Sequence, residues 1–321
     1  MAKYKRNNPR QGKFISIYFE DQILPGTFEH TLFHLIDRDL DLTDFDQRYR
    51  NDETGAPAYD PRILLKVILF AYSRGITSNR KIAKACAENV IFMALSNDTR
   101  PHFTTIADFV ATMDKEIVPL FRNVLFICDN LGLIGKELFA IDGCKLPSNA
   151  SKQWSGTKAD FKKKTAKLES AIGRMLETHR DQDKRGEADV LAKNRQYIKK
   201  VQKQISKLRE WQNNNDDKPG KSGKPIKSNI TDNESAKMKT SRGIIQGYDG
   251  ITTVDAKHQV IVHAEAFGQG QEPDLLAPMI EGTRKNFQKI GRDGDVFKNA
   301  KLAADAGFHS EANMRKVLRK R

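Results

Sequence analysis

Two short stretches carry the residues best able to do chemistry: Phe139-Ala140-Ile141-Asp142-Gly143 and Leu302-Ala303-Ala304-Asp305-Ala306-Gly307. In each, an apolar run ends in an aspartate and a glycine follows within two positions. A short apolar run reads as a buried strand, which needs nothing polar at its end. Taken singly, each aspartate has an ordinary role open to it, because strand ends often carry Asp as a helix N-cap or turn residue. Taken together they allow another. If the two strands are neighbours in one sheet, Asp142 and Asp305 approach each other at its rim, where two carboxylates repel and a divalent cation relieves the repulsion. A pair of Mg²⁺ (or Mn²⁺) ions about 3.5–4 Å apart can activate a water or hydroxyl and stabilise the leaving oxygen of a phosphodiester.

The composition suits such a substrate. The chain has 321 residues, long enough for two domains, and 55 Lys+Arg against 41 Asp+Glu leave a formal charge of +14. A sequence pI near 9.5 favours a polyanionic partner through counterion release, with nucleic acid the first candidate and a merely basic soluble protein the alternative. Cys86, Cys128 and Cys144 are scattered and in no metal-ligand spacing, so neither a disulfide framework nor a zinc module is indicated. The basic N-terminus leads into no apolar signal region and no apolar run approaches about 18 residues. The expectation is a soluble cytoplasmic protein with no membrane partner.

Several elements must position these residues. From about 27 to 134 the pattern is helical: Asp60 and Pro61 start a helix that Gly75 closes, and Ser78 can cap a short one carrying Arg80, Lys81 and Lys84. Such a module could hold a helix-turn-helix with those three cations at a DNA groove, or serve as scaffold or dimer interface. His30 and His34 could share a helix face, but without an acid or third His at a matching offset they read as packing or surface residues. Residues 158–211 hold 16 basic and 8 acidic side chains, with apolar positions from Leu168 to Leu208 at three-to-four spacing. This predicts an antiparallel helical hairpin, either a solvated charged face or else a DNA-contacting arm or oligomerisation hairpin. Residues 212–241, poor in apolar residues, predict a linker or a loop ordered only by a ligand. Strand signals return in GIIQGYDGITTVD and HQVIVHAEAFG, an antiparallel hairpin about Ala256-Lys257. A helix follows in EPDLLAPMIEGTRKNF, and HSEANMRKVLRKR predicts a closing basic helix. The glycines of GQGQEPD lack the spacing of a phosphate-binding loop and read as a turn, and Cys144 reads as a small packing residue.

These segments resemble the DDE transposases of bacterial insertion sequences, which have an RNase H-like core. The likeness lies in AIDGCKLPSNASK, in GYDGITTVDAKHQVIVHAEAFGQGQEPDLLAPMIE and in LAADAGFHSEANM, while the block from Tyr59 to Phe109 is similar to the helical domain that precedes the core. The resemblance implies an α/β (mixed) fold: an all-α domain over 1–134 and an incomplete RNase H-like core over 135–321, interrupted by the hairpin 158–211 and the linker 212–241. It makes Asp142 and Asp305 the metal-binding acids, on adjacent first and fourth strands, holding Mg²⁺ or Mn²⁺ for cleavage and transfer of double-stranded DNA. Lys145 and Lys152, flanking the first acid, are candidate phosphate contacts, and synapsis of two DNA ends calls for a homodimer. The family's third acid is a Glu on a helix well downstream of the second Asp. Glu311 is only six residues past Asp305, and Glu265 lies on the third strand as a solvent-facing residue. The expectation is therefore a truncated chain with impaired catalysis. The alternatives are a non-catalytic DNA-binding fragment acting as competitor, and a structural protein built on the hairpin.

Overall fold

The computed structural model describes residues 16–49, 57–183, 188–220, 223–311 and 313, with side chains described outside 178–194. It is mixed α/β and divides into two compact units, Met1–Leu131 and Gly132–Arg321.

The first unit is helical. Helix α1 (Phe28–His34) is capped by the Thr27 side chain, which accepts from the His30 N–H, and runs into a π-helical turn, Leu35–Asp39. After the short α2 (Thr43–Asp46) comes α3 (Pro61–Ser73). Its start and stop follow the sequence signals: the Asp60 carboxylate accepts from the Arg62 N–H at 2.8 Å, Pro61 holds the first helical position, and Gly75 at φ +72° lies just past the end. Helix α4 (Asn79–Glu88) has Ser78 at its N-cap position, but the hydroxyl makes no capping bond. Helices α5 (Val90–Leu95), α6 (Phe103–Ala111) and α7 (Ile117–Asn130) complete the unit. Leu64, Leu65 and Ile68 of α3 pack with Ile82 and Cys86 of α4, Phe92 and Leu95 of α5, and Phe109 of α6. Among the described residues of this unit the most deeply buried charged side chain is Lys66, 2% exposed, which is held by both Asp37 oxygens at 2.8 and 3.0 Å and stands over the Phe33 ring. The π-helical turn supplies that carboxylate, so the buried ammonium is paired as its environment demands.

The second unit is built on a mixed sheet. In chain order its strands are β1 (Leu138–Pro147), β2 (Ala236–Thr240), β3 (Gly243–Asp255), β4 (Ile261–Phe267) and β5 (Lys301–Ala304). Strand β3 pairs antiparallel with β1, with β2 through its first half and with β4 through its second. On the far side of β1, β5 runs parallel to it. Helix α10 (Leu276–Lys289) covers one face, where Leu276 and Met279 bury Ile141 and Ile251, and Phe287 meets Phe139 edge-on.

Strand β1 is not the continuously buried run that its composition suggests. Phe139 and Ile141 are buried at 0% and 2% exposure, whereas Leu138 is 39% exposed. Ala140 and Asp142 are exposed as well. The strand is buried on its α10 side alone, and period-two alternation turns every second residue outward.

Between β1 and β2 stands the hairpin of α8 (Lys158–Asp183) and α9 (Ala188–Asn214). It is antiparallel: Gln212 donates to Thr165, and Arg209 pairs with Glu169 a turn further out. Phe161, Leu208 and Trp211 bury its root, with Trp154 and Ile230 packed against them. The stretch 212–241 differs from the linker its composition suggests. Ser228, Asn229 and Ser235 are buried, and Asn229 donates to Ser155 Oγ and to the Ser151 carbonyl, both at 2.9 Å. Gln246 of β3 donates to Ser235 at 2.8 Å. Polar side chains anchor this stretch to the sheet, a mode that apolar periodicity does not report. The expected basic closing helix lies outside the described residues from 314 onward, as does the basic N-terminal stretch through 15.

Candidate functional site

Strands β1 and β5 are in register from Leu138 opposite Lys301 to Ile141 opposite Ala304. Asp142 is the next residue of β1 and Asp305 the first residue past the end of β5, so they stand side by side where the parallel ladder ends, the strands being about 4.8 Å apart. Parity sets their direction. Ile141 packs on α10, so Asp142 turns to the opposite face, and both aspartates are exposed. The Asp142 carboxylate accepts from the Gly143 N–H at 2.7 Å. Asp305 N-caps the 3-10 turn Ala306–Phe308 by accepting from the Ala306 N–H. In each case one oxygen, Oδ1, takes the backbone bond. Two hard oxygen donors at one strand end suit Mg²⁺ or Mn²⁺, since Mg²⁺ is commonly held by one or two carboxylates and keeps several waters. Among the described residues no three His, Cys, Asp or Glu side chains form a metal-binding group.

Lys145 does not join them. Three residues past Asp142, it lies on the α10 face, where its ammonium meets Asp249 Oδ2 at 2.5 Å and Glu272 Oε1 at 2.7 Å. Asp249 faces it directly across the β1–β3 ladder and is fully buried. Burial works against the lysine's charge, but hydrogen bonds from its ammonium to Asp249 and Glu272 outweigh this and raise its pKa above the ordinary value. The ammonium expected to hold a phosphate is committed to two carboxylates within the fold. Lys152 is exposed in the 3-10 turn Lys152–Trp154, its ammonium 3.5 Å from the Ile244 carbonyl. Glu265 is exposed and lies 3.5 Å from His263.

Asp249 and Glu272 were not singled out by motif or spacing. A signal for the first does exist. In GYDGITTVD, Asp249 shares parity with Ile251, and a carboxylate at a core-facing strand position needs a buried partner. Glu272 lies in the GQGQEPD segment, and its role is visible only in three dimensions.

In the first unit, Arg80, Lys81 and Lys84 are exposed on α4, with Ile82 and Cys86 buried on the other side. The Arg80 guanidinium stands 4.8 Å from the Phe103 ring centre, and Lys84 meets Glu88 at 3.6 Å, one turn on. Residues 17–112 match the family model described as Transposase domain (DUF772). Over these residues, under a third of the chain, the sequence is similar to a transposase domain. Comparison with curated proteins and with solved structures gave no match. The match runs from before α1 to the residue after α6, so it includes the three α4 cations and the buried Lys66–Asp37 pair. The two aspartates lie outside it, in the second unit. Among the described residues no helix is long and apolar enough to cross a membrane.

Proposed function

We propose that the chain is the transposase of a bacterial insertion sequence, cutting and joining double-stranded DNA with Asp142 and Asp305 as paired metal ligands. One observation carries the reading: two aspartates from sequence-distant strands stand side by side at the end of the same parallel ladder. The strand directions support it, since β3 and β4 form an antiparallel pair beside β1 while β5 runs parallel on its other side. This is the arrangement that the resemblance to RNase H-like cores implies. Bound there, Mg²⁺ or Mn²⁺ would lower the pKa of an attacking water or 3′-hydroxyl and offset charge on the leaving oxygen. The aspartates orient the metal and keep the site anionic, while the basic α4 and hairpin surfaces contribute phosphate contacts that position DNA without reading its sequence. The enzyme would act in the cytoplasm as a homodimer, one copy for each element end. With two carboxylates the site holds metal weakly, so cleavage by these residues alone should be slow and should favour millimolar Mn²⁺.

A second reading, DNA binding without cleavage, is favoured by the position of the transposase domain match, which stops short of both aspartates. Labelled duplex DNA with Mg²⁺ or Mn²⁺, beside Asp142→Asn and Asp305→Asn, separates the two. Nicking that both variants lose supports the catalytic reading. Binding without nicking supports the second, and neither binding nor nicking removes both.

A further inference from the structure

Each aspartate is followed by a glycine, Gly143 or Gly307, and backbone conformation does not require either, because neither has positive φ. What surrounds them does. A Cβ on Gly143 would stand 3.3 Å from Asp249 Oδ1 and 3.2 Å from the Ile251 side chain. A Cβ on Gly307 would land on Glu272 Oε2. The other oxygen of that carboxylate is held by Lys145. Both glycines therefore clear room for the same ion-pair cluster, on the sheet face opposite the aspartates.

The cluster ties β1 to the segment packed against the turn behind Asp305. Lys145 lies on β1, Asp249 on β3, and Glu272 on the 3-10 turn Glu272–Asp274 that leads into α10. That turn is tied to the one behind Asp305 through Asn313, whose side-chain amide donates to the Pro273 carbonyl at 2.6 Å and to the Phe308 carbonyl at 2.7 Å. Phe308 is buried against Leu275 and Leu276. At Asp249, Oδ1 is buried without a hydrogen-bond partner, so compensation of its charge comes from the Lys145 ammonium on Oδ2. Removing the lysine would leave a buried carboxylate uncompensated and free Glu272 to move.

We propose that Lys145 is a positioning residue: by bridging Asp249 and Glu272 it fixes the Asp305 turn against β1 and so sets the spacing of the two acids. The metal-spacing part of this rests on reading Asp142 and Asp305 as paired ligands; the coupling of the turn to β1 does not. Hydrogen exchange on the full chain tests the coupling, with Lys145→Met, Lys145→Arg and Gly307→Ala beside the parent. Peptides over 301–311 should exchange about tenfold faster in Lys145→Met and Gly307→Ala, while peptides from α3 to α7 stay unchanged and Lys145→Arg keeps the parent rate. Should Lys145→Met fail to fold, Gly307→Ala perturbs the same contact from the other end. Unchanged exchange at 301–311 in the folded variants overturns the proposal, as does failure of arginine to substitute. A parallel Mn²⁺ titration by electron paramagnetic resonance should show about tenfold weaker binding for Lys145→Met and near-parent binding for Lys145→Arg, a factor of ten being about 1.4 kcal/mol. If the parent shows no Mn²⁺ binding sensitive to Asp142→Asn, the metal reading fails while the exchange result still decides the coupling.

Discussion

At the scale of single residues, the chain separates acids that face solvent from acids that face the core. Asp142 is exposed on the outward parity of β1, so Asp142→Asn should change stability by no more than about 0.5 kcal/mol. The same substitution should abolish metal-dependent nicking, and thermal melts run beside cleavage gels will show whether the two effects part. Asp249 is the opposite case, and Asp249→Asn should destabilise the second unit by about 1–3 kcal/mol because it removes one of the two carboxylates that hold the partly buried Lys145 ammonium. The thiols offer a pH test. Burial pushes Cys86 up to about 11 from an ordinary 9.0. The unfolded chain therefore releases that proton first, and stability should be full below pH 9, fall as pH rises, and level off above about 11. In the native protein at pH 8 a thiol reagent should modify exposed Cys144 quickly and Cys86 only on unfolding.

At the scale of elements, legibility followed how each segment is held. Helix α3 was readable because Asp60, Pro61 and Gly75 are local signals and its apolar face is continuous. The β3–β4 hairpin and the α8–α9 hairpin were readable for the same reason: their periods of two and of three to four need no knowledge of the partner. The anchoring of 212–241 was not readable, since Asn229 donates to Ser151 and Ser155, and Gln246, which holds Ser235, also accepts from Ser155, partners that lie far away in sequence. The two aspartates were legible as a repeated pattern, but the role of Lys145 was not, because proximity in sequence to Asp142 says nothing about which face a strand residue takes. The hairpin root supplies a test of its own. The two tryptophans of the chain, Trp154 and Trp211, both belong to it. Trp211→Ala should cost about 3–5 kcal/mol, read as a lowered urea midpoint of the remaining tryptophan emission, with helical signal from the first unit retained at that midpoint.

At the scale of the whole molecule, a charge of +14 makes DNA affinity a matter of salt. If about six phosphates are neutralised, log K should fall with log salt at a slope near −5. Fluorescence anisotropy with a labelled duplex between 50 and 300 mM salt measures it, and a flat profile would remove DNA as the partner. The ladder between β1 and β5 joins segments separated by about half of the chain, and this has a kinetic consequence. Local helices and the β3–β4 hairpin can form early, whereas closing so long a loop is slow and gains nothing until the last strand docks. The acidic pair can therefore assemble only once β5 has been synthesised, so on the proposed reading a nascent chain folds its first unit, with whatever DNA contacts that unit makes, well before it holds a metal site.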